Sequence, residues 1–419
     1  MTTNQLDKTH PQPSHLPRPL PTRGWLDAVW LLLMLALLAA YLLNNPGGRL
    51  CAQMGTDFRG YYSSAQIARQ HGFARVYDDA LQDEYQRILL VRCPGGRMEA
   101  GLQVSMPYLP VYVLLFVPLT ALEITLSYLV FTLVNAVGLT LYLVRFTRAM
   151  HVPLSGLRLL QWVICLPVLA NLYLGQMNLL LVISLGEFTL ALVNGFEKRS
   201  GLWLSAMSIK PHTLILLLPG LLLNRRWRAL LGFGAGAAAI LGSSLLLGGM
   251  QGVVESARLV ARFAGPLIQT APTMMNWRAL ALNLALILPE GIAWGLAIAG
   301  MTFTVGIVLV LWLSRPGGSP DRWAMLILAT HAGTCAVSWH AHFYLLMPLI
   351  PLLAYLDSRG KLPTCVLAAW LLGPPLIYLL AYLLNPQMAR NIFGMGMLAL
   401  DLLLLAWSAV TLKGQSSFH

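Results

Sequence analysis

Apolar stretches of membrane-crossing length alternate along the chain with short polar breaks carrying arginine, lysine or proline. A run of about 20 apolar residues crosses a hydrocarbon core of about 30 Å as a helix. The first runs from Trp25 to Leu43 and ends at Asn44-Asn45-Pro46-Gly47-Gly48. Polar sequence then extends from Arg49 to Ser105, too long for a tight turn. Inside it, Phe58–His71 and Asp79–Val91 have helical apolar spacing, with Gly72 and Cys93-Pro94-Gly95-Gly96 as breakers. These read as two short helices lying on a membrane surface.

Pro107 to Val144 is nearly continuous apolar sequence, interrupted at Pro118 and Glu123. It fits either two helices or one helix with a re-entrant piece. Arg145, Arg148 and Arg158 follow, then apolar runs over Leu159–Leu174 and Met177–Val193, closed by Glu197-Lys198-Arg199. Leu202–Leu223 holds Lys210-Pro211 at its middle and is basic on both flanks, which fits a broken hairpin as well as a single span. Further runs cover Leu230–Leu247, Ile292–Leu313, Trp323–Val337, Phe343–Leu356, Leu362–Leu384 and Ile392–Leu412. Residues 279–290 are too short to span and read as interfacial. No internal repeat divides the chain into related halves.

Charge orients this pattern. Lys8, Arg18 and Arg23 precede the first run, and each alternate turn thereafter carries Lys or Arg. The positive-inside rule then makes the N-terminus cytoplasmic and puts Asp57, 248–278, Ser338–His342 and Asn385–Arg390 together on the opposite, outer face. The chain of 419 residues is 57% hydrophobic and only 11% charged, against about 25% charged in a soluble domain. The expected fold class is an all-α polytopic integral membrane protein; a β-barrel would alternate instead of running apolar. The net charge of +12 is scattered among hydrophobic helices without a basic stripe, so it points to loop bias and anionic headgroups, not nucleic acid. The expected organisation is a disordered, proline-rich cytoplasmic tail over 1–24, one membrane domain over 25–412 and a cytoplasmic tail over 413–419. The membrane domain would carry a first outer loop over 45–105 and a second over 248–278. The first run has no small-residue cleavage site after it and reads as a retained helix.

Four constellations are candidates for chemistry. Asp57 lies just past the first span with Tyr61 and Tyr62 behind it, suited to a general base; equally, Thr56 or Asp57 fits a helix N-cap. His340 and His342 flank Ala341 after Trp339 and suit a phosphate or a sugar, or are interfacial residues beside a belt tryptophan; their i,i+2 spacing does not favour a helical metal site. Arg258, Arg262 and Arg278, with Asn276, are cations where the positive-inside rule does not place them, and guanidinium groups suit phosphate; a solvated loop explains them too. Lys210 inside an apolar segment is a functional candidate by its cost, unless it pairs with Glu187. Cys51 and Cys93 share the outer segment and fit a disulfide, whereas Cys165, Cys335 and Cys365 sit in apolar runs as core residues. No CxxC, Walker or GxGxxG motif is present, so neither a metal nor a cofactor is expected.

In order, several motifs resemble glycosyltransferase family 87, also described as DUF2029, of the GT-C superfamily. Asp57-Phe58-x-x-Tyr61-Tyr62-x-x-Ala65 with Gly72 and Tyr77 is similar to its first outer loop. Pro107-Tyr108-Leu109-Pro110 resembles its Tyr-Pro-Pro helix start, with Leu for one Pro. Gly175-Gln176-Met177-Asn178 matches its Gly-Gln-x-Asn. Gly201 to Lys210, ending at Arg225-Arg226-Trp227-Arg228, matches its Lys-broken segment. Ser338-Trp339-x-x-His342 resembles its Ser-Trp-x-His-His, with Ala341 for the first His and His340 beside it, and the Asn-rich motif reads Asn276-Trp277-Arg278. The resemblance implies a GT-C bundle of roughly 10–13 transmembrane helices. It implies transfer of a sugar, often mannose, from a polyprenyl phosphate to a glycolipid or glycan acceptor on the non-cytoplasmic face of the plasma (inner) membrane. It implies inversion in a single displacement with Asp57 as the base. The motif residues Tyr61, Tyr62, Gln176, Asn178 and His342 join the expected substrate-binding set with Lys210, His340, Asn276 and the three arginines. Two other classes remain: a transporter or flippase of lipid-linked sugar, expected to show inverted repeats and paired intramembrane charges, and a non-catalytic family member.

Overall fold

A computed structural model describes residues 24–44, 55–91, 106–264, 270–314, 318–385 and 388–416. Cys51 and Cys93, the expected staple, lie outside the described residues, as does the tail before Gly24. The described chain is helical. Helix α1 (Gly24–Asn44) is the first apolar run. Two amphipathic helices follow the first break, α2 (Thr56–His71) and α3 (Asp79–Val91), joined by a 3-10 turn over Phe73–Tyr77. Both match the short helices read from apolar spacing.

The stretch from Pro107 resolves into a short piece and a long one. Helix α4 (Pro110–Val113) and a 3-10 turn at Pro118–Ala121 dip and stop, because Pro118 cannot donate to a continuing ladder. Glu123 then caps α5 (Ile124–Ala149), its carboxylate accepting from Thr125 N. After α5 the chain is repeatedly broken. Helices α6 (Gly156–Val163) and α7 (Leu166–Leu174) meet at a bend of 48°. Helix α8 (Asn178–Val193) starts anew after Gly175, and α9 (Glu197–Ser205) after Asn194-Gly195. Leu202–Leu223 is broken at Lys210, with 3-10 turns on both sides of it before α10 (Leu217–Leu223).

Helix α11 (Trp227–Ala264) runs through the stretch expected as the second outer loop. It is kinked at Gly249, so its first part is the apolar span and its second part redirects onto the Phe73–Tyr77 turn and α4. The first part of that expected loop, 248–264, is therefore helix, and Arg262 pairs with Asp79 of α3 at 3.2 Å. The rest of the chain comprises α12 (Trp277–Leu284), α13 (Glu290–Leu313), α14 (Pro320–Val337), α15 (Ile350–Ser358), α16 (Thr364–Leu384) and α17 (Ala389–Ser416). Helix α17 carries on past Lys413, so the described part of the expected C-terminal tail is helical.

Among the described residues five helices, α5, α11, α13, α16 and α17, are long and apolar enough to cross a membrane, or six if the bent α6–α7 pair is one span. Shorter apolar helices fill the space between them. This is a polytopic all-α membrane protein. Its centre is α14, buried on every side from Trp323 to Ala336; a helix apolar all round belongs in such a position. Helices α9 and α11 cross at Gly201 and Gly232, where the carbonyls of Ala229 and Lys198 occupy the space a Cβ would need. In a membrane, helices associate by close packing and hydrogen bonding instead of by expulsion of water, so small residues at crossings are what lets backbones approach.

One expected pair is corrected. Glu187, 2% exposed, is bound by Arg145 and lies 3.8 Å from Arg199, with the Tyr142 hydroxyl at 3.4 Å. It is therefore not the partner of Lys210. The helix bearing Glu187 points its acid at the arginine-rich end, whereas Lys210 lies at the opposite break. Cys365 is also corrected: it begins α16 and is exposed, while Cys165 and Cys335 are buried. A helix's first turn reaches the surface even when its middle is core.

Candidate active site

Asp57 is not a cap. Gly55 occupies the N-cap position of α2 in a left-handed conformation and makes no side-chain cap bond. Asp57 sits inside the first turn, partly exposed, and its Oδ2 accepts from Gln176 Nε2. Three breaks converge on it. The first is the α7–α8 junction, which supplies Gln176 and Asn178. The second is the Lys210 break, where the backbone leaves the helical region at φ −127, ψ 79. The third follows α14, where Ser338–His342 lead into a 3-10 turn over Phe343–Leu349. Irregular backbone at membrane depth is tolerated where it is buried in protein or lines a cavity.

Lys210, 6% exposed, donates to Gln176 Oε1 at 2.8 Å and to Asn178 Oδ1 at 2.8 Å. Its ammonium also lies 5.2 Å from the centre of the Tyr344 ring. Asn178 Nδ2 donates to the Tyr344 carbonyl at 3.2 Å, fastening the first break to the third. Tyr61 donates to Gln176 Oε1 at 3.2 Å and meets the Tyr108 hydroxyl at 3.2 Å. From Tyr344 a row of imidazoles leads away. His342 stacks on Tyr344 at 5.3 Å, His340 is 5.0 Å from His342, and His212 is 6.2 Å from His340. His212, His340 and His342 keep partial exposure although protein surrounds them.

Electrostatics follow from this enclosure. Burial raises the Asp57 pKa above the ordinary carboxylate value, and the Gln176 hydrogen bond and the Lys210 and Arg59 charges pull it partly back. Burial lowers His340 to about 4, with Lys210 and Arg278 adding to it, and His342 falls well below its ordinary value by burial and the nearby His340 and Lys210. Both imidazoles are neutral at pH 7 and offer N–H donors without a charge.

The other expected residues are placed as follows. Asn276 caps α12, its Oδ1 accepting from Ala279 N at 2.8 Å. Arg278, 1% exposed, holds the histidine loop: it donates to the Trp339 carbonyl at 3.3 Å and lies 4.5 Å from that ring's centre. Tyr62 turns away from Asp57 and donates to the Leu122 carbonyl at 2.7 Å. Arg258 and Arg262 stand apart, paired with Glu255 and Asp79 and more than half exposed. The geometry adds Tyr108, Tyr344 and His212 to the cluster. Tyr108 lies in the quoted Pro-Tyr-Leu-Pro motif and Tyr344 follows His342 by two residues, but neither is polar enough in type to stand out from sequence. Among the described residues no group of three or more His, Cys, Asp or Glu is arranged to hold a metal ion.

A partly exposed carboxylate, a buried ammonium and neutral imidazoles in one cluster can accept a proton at one end and hold an anion at the other. Comparison with known proteins identifies the family. The model of glycosyltransferase family 87 matches residues 107–338, which include Tyr108, Gln176, Asn178, Lys210, His212 and Arg278. No curated protein and no solved structure matches the chain. With the family model covering more than half of its length, the chain belongs to glycosyltransferase family 87.

Proposed function

We propose that this glycosyltransferase moves a hexose, mannose foremost, from a polyprenyl-phosphate donor to a glycolipid or glycan acceptor, with inversion, at the outer face of the plasma membrane. The N-terminus is then cytoplasmic. The observation that carries the reading is the Asp57 carboxylate, partly exposed and tied through one amide to the buried Lys210 ammonium.

In the proposed step, Asp57 takes the proton of an acceptor hydroxyl. The hydroxyl oxygen forms a bond to the anomeric carbon from the face opposite the phosphate. The carbon–oxygen bond to the phosphate breaks, and its electron pair leaves on the polyprenyl phosphate. Lys210 donates two bonds to Gln176 and Asn178, so one N–H of its ammonium remains to meet that oxygen. His342 and His340 offer neutral N–H donors beside it. Preorganised donors aimed where charge develops are an effective way to lower such a barrier. Arg258 and Arg262 have no part in this reading, because carboxylates already hold them on a different surface.

The test is Asp57→Asn in proteoliposomes with radiolabelled polyprenyl-phosphate mannose and a membrane glycolipid extract. Loss of a general base lowers turnover by about 10²–10⁴-fold, while the melting temperature in detergent stays at the wild-type value. Wild-type turnover by the variant removes Asp57 from the chemistry. A panel of other polyprenyl-phosphate sugars identifies the donor.

A further inference from the structure

The geometry assigns Gln176 as a positioning residue that turns one oxygen of Asp57 away from the substrate and leaves the other as the base; the inference rests on the proposed role of Asp57. Three observations carry it.

The first is the saturation of the amide. The Gln176 carbonyl oxygen accepts from Lys210 Nζ at 2.8 Å and from the Tyr61 hydroxyl at 3.2 Å. The amide nitrogen donates to Asp57 Oδ2 and approaches the Tyr344 hydroxyl at 3.5 Å. Reversing the amide would point its N–H groups at an ammonium and its oxygen at a carboxylate. Both contacts would become repulsive, so the neighbours decide the orientation. Gln176 is 5% exposed and both ends are engaged. It has no group left with which to bind a substrate, although sequence alone placed it among the binding residues.

The second is the way the two elements are locked together. Gly55, at the start of α2, donates its N–H to the Tyr173 carbonyl at 2.7 Å. Gly175, immediately before Gln176, is left-handed at φ 73, and a Cβ there would collide with the Cβ of Phe58. Glycine is the residue that takes this conformation without strain. The residues next to Asp57 and next to Gln176 are thus pressed against each other, and the amide–carboxylate bond is built on backbone contact.

The third is what the arrangement leaves. With Oδ2 engaged, Oδ1 is the oxygen with no hydrogen-bond donor among the described residues, on a side chain that keeps partial exposure. An approaching hydroxyl meets that oxygen. A base held by one oxygen loses less freedom on binding than a carboxylate free to rotate, which is the advantage of preorganisation.

The experiment compares wild type, Gln176→Ala and Gln176→Glu in proteoliposomes, with polyprenyl-phosphate mannose and a fixed amount of membrane glycolipid extract. Infrared difference titration of the Asp57 carboxyl runs alongside, using Asp57→Asn to identify its band. Gln176→Ala is expected to lower kcat by about 10²-fold and to leave the donor KM within about threefold of wild type. It also moves the carboxyl titration, and with it the acidic limb of kcat/KM, upward, because a donor to the charged form is gone. Gln176→Glu moves both further upward, since two neighbouring carboxyl groups resist ionising together. A raised donor KM with unchanged kcat overturns the assignment in favour of substrate binding. An Asp57 band that titrates alike in all three folded proteins also overturns it, as would equal losses in Ala and Glu variants with no pH effect. A shifted band in a protein that transfers no sugar upholds the positioning role and strikes the proposed reaction instead, so the two fail separately.

Discussion

At Asp57 the opposing influences have a definite order. Burial raises its pKa, and Gln176, Lys210 and Arg59, in that order, lower it again. The carboxylate is the active form of a base, so kcat/KM falls as pH drops through this pKa. Removing a nearby cation moves that limb to higher pH. Lys210→Met is expected to shift it upward in the turnover that remains, and Arg59→Met to shift it in the same direction by less; pH profiles of kcat/KM check both. A limb that stays in place in Lys210→Met would mean that the ammonium and the carboxylate are not coupled. At this scale the sequence was informative about residue type and silent about partners. Lys210 stood out because amines are rare in apolar surroundings, and Asp57 because it follows the first apolar run with two tyrosines behind it. Their connection through Gln176 spans 119 and 34 residues, and no local pattern records it. The same blindness made Glu187 an apparent partner of Lys210, when Arg145 holds it.

The site is made from places where helices stop. Helix α7 stops at Gly175 before α8 begins, the Leu202–Leu223 stretch stops at Lys210-Pro211, and α14 gives way to a 3-10 turn at Phe343. Glycine and proline announced two of these breaks. Gly175→Ala is the sharpest test of the first. A non-glycine residue held left-handed costs about 1–3 kcal/mol, and the added methyl must displace Phe58. The expected result is a lower melting temperature in detergent together with a fall in kcat, as Gln176 moves from Asp57. A melting temperature equal to wild type would show that α2 is not seated on this turn. Apolar spacing predicted α2 and α3 well, since their buried and exposed faces differ. It did not predict that α11 continues past Leu247, because Gly248-Gly249 reads as a break in sequence. In the structure Gly249 redirects the helix, and contacts with α4 and the Phe73–Tyr77 turn keep the second part folded.

Across the whole molecule, Arg87 and Cys365 offer a measurement of orientation. Cys365 is exposed at the start of α16, which leads away from the Arg359–Lys361 turn expected on the cytoplasmic side. Arg87, exposed on α3, belongs to the face that carries α2. In a background with Cys51 and Cys93 changed to Ser, a membrane-impermeant maleimide added to intact cells is expected to label Arg87→Cys and to spare Cys365. Permeabilisation then exposes Cys365. Labelling of Cys365 in sealed cells would reverse the proposed topology.

Membrane residence and helical class follow from the chain's composition and periodicity, because the bilayer imposes a length and an apolarity on whatever crosses it. Glycosyltransferase family 87 was legible in short motifs for a related reason: glycines, prolines and charged residues in apolar surroundings are costly and therefore conspicuous. The assembly of those motifs into one cluster was not legible. Which amide faces Asp57, which of several cations lies beside it, and which expected residues are caps or struts depend on where separate helices cross. Close packing of small residues sets those crossings, through contacts between positions far apart in the chain. Asn276 and Arg278 show the difference: conspicuous in sequence as binding candidates, they hold the start of α12 and the Trp339 loop in the fold.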